Sequence, residues 1–158
     1  MAVDVFLKLG DIKGESTDAK HAGEIDVLSW SWGVSQPGTA ASGGGAGAGK
    51  VSFSDLNFTH NVDKASPLLM KACATGQHVK EATLVSRKAG KGQQEYLIIK
   101  MSDILVTGVQ PSSAGEHPME NVSIKFAKID LEYKPQKVDG TLDAGIHFIY
   151  DIKTNKVG

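Results

Sequence analysis

The sequence predicts a mainly β domain, a barrel or a sandwich, and three observations carry that prediction. Apolar residues recur at every second position along most of the chain. One segment alone has the start and stop signals of a helix. Strands do not alternate with helices in the way a parallel βαβ sheet demands.

The elements follow in order. Val3, Val5, Leu7 and Leu9 lie on one side of an extended segment, with Asp4 and Lys8 on the other, the pattern of a half-buried strand. In IDVLSWSWGVSQ, Leu28, Trp30, Trp32 and Val34 share a face opposite Ser29, Ser31, Gly33 and Ser35. Two bulky aromatics on an apolar strand face read as core rather than as a ligand platform, since each buries on the order of 200 Å². The small-sided face opposite them can supply no core, so it looks at water or at a closely approaching partner. Further strands are predicted at Val51–His60, Lys80–Arg87, Glu95–Thr107, Asn121–Lys134 and Gly145–Ile152. Within Asn121–Lys134 the apolar side passes from Val122, Ile124 and Phe126 to Ala127, Ile129, Leu131 and Tyr133. A bulge near Phe126–Ala127 is the economical reason. The helix is SPLLMKACATG: Ser66 is placed as N-cap, Pro67 as the first helical residue and Gly76 as the left-handed stop. Leu69, Ala72 and Cys73 form its short apolar stripe. At about three turns it needs a sheet to dock on.

A chain of 158 residues is the size of one domain, 1–158, and shows no internal repeat. With 41% apolar and 22% charged residues it is neither disordered nor membranous, and a net charge of −1 with scattered lysines argues against a nucleic-acid partner. The opening MAVDVFLKLGDIKGES has neither the charged n-region nor the apolar run of a secretory signal. No apolar run reaches membrane-spanning length. The single cysteine excludes an intramolecular disulfide framework and suits a chain folded in a reducing cytoplasm.

The residues tempt with one catalytic motif. Gly44, Gly49 and Lys50 in SGGGAGAGKVSF imitate a phosphate-binding loop. Such a loop must run into a helix and place Ser or Thr after the lysine, whereas Val51 follows here and opens a strand. Pro37–Lys50 is therefore read as a long flexible connection, of a length that is often functional. The five histidines stand apart with no metal-ligand spacing, and no serine sits in a G-x-S-x-G elbow. Cys73 reads as a small core residue. No cofactor, no metal and no enzyme activity are expected.

The order of segments resembles the Hcp (hemolysin-coregulated protein) family, the tube subunit of the bacterial type VI secretion system. The resemblance rests on MAVDVFLKLGDIKGES, HAGEIDVLSWSWGVSQ, the glycine-rich loop ending in GK, SPLLMKACATGQH and ENVSIKFAKIDLEYKPQKVDG, followed by a strand ending in YDI. It implies a two-sheet β-barrel with one flanking helix, six copies to a ring, and rings stacked into a tube. It further implies a contractile sheath that expels the tube, a VgrG spike at its tip, and effector proteins in its lumen. Export would then start from the cytoplasm without a signal peptide. The resemblance makes the loop of Pro37, Gly43, Gly44, Gly45, Gly47, Gly49 and Lys50 the candidate contact with a neighbouring subunit or ring. Ser29 and Ser31 become candidates for the lumen wall. A chain ending soon after Tyr150–Ile152 is expected to carry its cargo non-covalently. The competing reading is a monomeric β-barrel carrier of small molecules, with Trp30 and Trp32 lining an apolar pocket.

Overall fold

The computed structural model describes residues 2–37, 50–88 and 92–158. Its strands are β1 (Val3–Leu9), β2 (Ile25–Asp26), β3 (Ser29–Ser31), β4 (Val34–Ser35), β5 (Ser52–Phe53), β6 (Leu56–Asn61), β7 (His78–Lys88), β8 (Glu95–Ser112), β9 (Met119–Lys125), β10 (Lys128–Tyr133), β11 (Ile146–Asp151) and β12 (Lys156–Val157). The helix α1 spans Ser66–Thr75. This is the mainly β class with one helix that the alternation predicts.

The 18-residue β8 organises the sheet. On one side it carries β7, which leads to β1 and β2. On the other, its first half pairs β10 and its second half pairs β9, so the sheet divides into a β10–β11–β12 wing and a β9–β6–β3 wing. All these pairings are antiparallel. The chain steps from the β1 edge to the β6 edge within Val27 and Leu28. Val27 N–H donates to Val5 C=O (2.9 Å) and Leu28 N–H to Thr59 C=O (2.8 Å). The ladders thus form one folded sheet whose wings approach across this step, not a barrel closed by continuous pairing. β4 and β5 stand apart as a two-stranded sheet at the base of the glycine-rich connection.

Inside the fold, Leu7, Leu9, Ile25, Leu56, Phe58, Leu84, Ile99, Ile124 and Ile129 are wholly buried. Leu69 and Ala72 of α1 join them. Cys73 is half-buried against this core.

Three local expectations are corrected. The apolar phase does change at Phe126–Ala127, but no extra residue is inserted there. Asp103 and Ile104 stand opposite Phe126 and Ala127 between two ladders of unchanged register. Both strands turn over together where Asp103 adopts a left-handed φ of 55°, and the true bulge lies between Val106 and Gly108. Leu28 and Val34 are exposed, while Trp30 and Trp32 are half-buried against the core. The strand switch at Val27–Leu28 turns Val27 inward instead. In α1 the cap position belongs to Ala65. Ser66 lies inside the helix, where its Oγ accepts from Asp63 N–H (3.1 Å). Gly76 stops the helix with φ 68°, as expected.

Candidate functional site

The site is a sheet face. Residues directly opposite in an antiparallel ladder point to the same side. Ser29 pairs Thr59, Thr59 pairs Asn121 and Asn121 pairs Gln110, which gives one row across β3, β6, β9 and β8. Ser31 pairs Asn57, Asn57 pairs Ser123 and Ser123 pairs Gly108, which gives the next. Apart from Gly108, every residue in these two rows carries a small or medium, polar and uncharged side chain. The intervening residues Leu56, Phe58, Val122 and Ile124 fill the core, so packing fixes which side the polar set faces.

Several of these groups already satisfy one another. Ser29 and Thr59 hydroxyls lie 2.6 Å apart, and Ser123 Oγ donates to Asn57 Oδ1 at 2.9 Å. Beyond the rows, Met119 pairs Asn61 at one border and Lys125 marks the other. Such a surface binds water and offers a passing protein weak hydrogen bonds without a strong field.

Behind the face lies a buried polar pair. His60 and Glu120 are cross-strand partners on the inner side of β6 and β9, both essentially inaccessible, with Nε2 and Oε1 at 2.8 Å. His60 Nδ1 is 3.8 Å from Asp63 Oδ2, just ahead of α1. The pair ties β6 to β9 beneath the polar rows.

The glycine-rich connection springs from the β4–β5 hairpin. Pro37 and Lys50 are exposed at its two ends, and Gly43, Gly44, Gly45, Gly47 and Gly49 lie outside the described residues. Lys50 leads into β5, so a strand follows the lysine. An aromatic group anchors the hairpin. Phe53 lies 6.4 Å from Trp32, 6.3 Å from Phe126, 6.5 Å from Phe148 and 4.9 Å from Tyr150. Ser54 Oγ accepts from Gly33 N–H at 2.7 Å.

Elsewhere, ionic groups serve structure. Arg87 is buried over the Phe6 ring and holds Asp18 and Asp4. Its hydrogen bond pulls the Asp18 carboxyl down to about 2. On β11, His147 sits between Asp130 (2.8 Å) and Glu132 (3.3 Å), and the Asp130 hydrogen bond raises its imidazole above the usual value. Among the described residues no group of three or more His, Cys, Asp or Glu side chains is arranged to hold a metal. No described helix is long and apolar enough to cross a membrane.

The structure thus sets Ser29 and Ser31 in one patch and adds Asn57, Thr59, Gln110, Asn121 and Ser123. Those five alternate with core residues in DLNFTHN, ENVSIKF and VTGVQ, yet only the cross-strand register unites them.

The family model described as the type VI secretion system effector Hcp matches residues 6–133. The chain belongs to the Hcp family. It is 50% identical to Protein hcp1 of Pseudomonas aeruginosa over 159 residues, covering 98% of both chains. The crystal structure of Hcp1 from Salmonella typhimurium superposes with a TM-score of 0.83 at 42% identity, over 100% of both chains. A solved structure described as a type six secretion system protein reaches a TM-score of 0.91 at 28% identity, over 99% of this chain and 100% of that one. This Hcp chain is therefore a type VI secretion protein, from a family of secreted structural proteins rather than a known enzyme family.

Proposed function

We propose that this Hcp protein, folded as one domain, is the inner-tube subunit of a type VI secretion machine. Six copies close into a ring, rings stack, and effector proteins ride non-covalently in the lumen. Contraction of the sheath then drives the stack out of the cell from the cytoplasm behind a VgrG spike, with no need of a signal peptide. The observation that carries this reading is the double row from Ser29 to Gln110 and from Ser31 to Gly108. A wall of this chemistry stays wet and lets cargo go, whereas an apolar or charged wall would hold it. Ring closure also removes sheet edges that would otherwise pair without limit. A net charge of −1 lets copies stack without strong repulsion. In this reading the Pro37–Lys50 connection reaches onto a neighbouring subunit or ring.

The carrier alternative needs Trp30 and Trp32 in a pocket. Trp32 instead stacks on Phe53 and meets Phe126 edge-on at 6.1 Å. Neither tryptophan lines the cleft beside α1 or the smaller one beside Phe53.

Ser31→Trp is the direct test, read by co-purification of an effector with the ring. The variant is expected to keep its native mass and to hold effector roughly tenfold less, the equivalent of about 1.4 kcal/mol. Unchanged cargo on an intact ring would show that Ser31 does not line the path.

A further inference from the structure

A groove of about 700 Å³ lies between α1 and the first half of β7. Its floor is Ile12, Ala72, Val79 and Ala82, and Leu68, 45% exposed, forms one wall. Lys8, Lys71 and Lys80 share its rim with Asp11 and Glu81. The chain also carries a knob that suits it. Between β10 and β11, Lys137 N–H donates to Thr141 C=O (2.7 Å), and Asp143 N–H to Pro135 C=O (2.7 Å). Asp139 Oδ1 accepts from the Thr141 N–H and hydroxyl. Gln94 clamps the turn through Gly140 C=O at 2.6 Å. This braced tip holds Val138 fully in solvent between Lys137 and Asp139. An aliphatic side chain flanked by opposite charges matches an apolar floor rimmed by opposite charges.

The two features lie at opposite ends of one strand. The groove uses Val79–Thr83 at the start of β7. The knob is tethered at its finish, where Lys88 Nζ donates to Gln136 Oε1 at 2.9 Å. From Glu81 in the groove to Lys88 the strand runs about 23 Å. A knob at one pole and a socket at the other make a heterologous contact that repeats along a line instead of closing.

We infer that the Val138 tip of one copy seats in the α1–β7 groove of a second copy, as a head-to-tail contact between stacked subunits. This inference rests on the tube-subunit reading above and names the residues that join one layer to the next. Burial of one valine strengthens the contact roughly tenfold.

The test uses Leu68→Cys with Val138→Cys, with Cys73 replaced by Ser. Seating the tip against Leu68 brings the two Cα atoms within disulfide range. Mild oxidation at high concentration is expected to give a ladder of dimers, trimers and longer chains, whereas each single cysteine stops at dimers or below. In otherwise native protein, Val138→Asp is expected to shorten assemblies without altering the mass of a single ring. Rings of six that do not ladder would overturn this contact and leave the tube-subunit reading standing. A lone chain at every concentration, without a ladder, would overturn both.

Discussion

Glu120→Ala is expected to lower the free energy of unfolding by about 3–5 kcal/mol, the usual cost of removing one partner from a buried polar pair. His60 and Glu120 are both inaccessible, and the 2.8 Å bond between them joins β6 to β9 directly behind the polar rows. Removing the carboxyl leaves the His60 ring N–H without its acceptor in a place water does not reach. The second Glu120 oxygen and His60 Nδ1 have no hydrogen-bond partner, and Asp63 Oδ2 stands 3.8 Å from Nδ1, beyond hydrogen-bond reach. Glu120→Gln preserves shape and one acceptor, and is expected to lose about 1–2 kcal/mol. Urea titration checks both, provided the slope of the transition is unchanged between variants. A Glu120→Gln variant as stable as the native protein would mean that the pair matters only as volume.

Phe53→Ala is expected to release the β4–β5 hairpin while the main sheet stays folded. Those strands form a sheet of their own, and their register consists of Val34 with Phe53 and Ser35 with Ser52. So short a pairing is not stable alone in water. What holds it is the Phe53 ring among Trp32, Phe126, Phe148 and Tyr150. Truncating a packed phenylalanine costs about 3–5 kcal/mol when fully buried, and about 2–3 kcal/mol is expected at this half-buried site. Hydrogen exchange reads it directly. The Ser54 amide, which donates to Gly33 C=O at 2.9 Å, should lose protection, while β7 and β8 amides keep theirs. In the tube reading, the same change removes the footing of the glycine-rich connection and shortens assemblies.

Much of this was legible in the residues. Period-two alternation located β1, β6, β7, β8 and β11, and Gly76 marked the end of α1, because each reflects a local steric or burial rule. The serine face of β3 was visible for the same reason. What alternation could not show is which strands lie side by side. Asn57, Thr59, Asn121, Ser123 and Gln110 become a surface only through the register of β6, β9 and β8, a long-range property. Leu28 misled because the chain changes sheet partners beside it, and a strand that switches edges breaks its own period. The turnover at Phe126–Ala127 looked like a bulge because one strand alone does not reveal that Asp103 turns over opposite it.

The central claim is that copies of this chain enclose a polar channel, and imaging of purified protein at high concentration tests it most directly. Class averages of negatively stained particles are expected to show six-fold annuli with an open centre. Light scattering on the same sample should give about six chain masses. A single-chain mass at every concentration, with no annular particle on the grid, would contradict it.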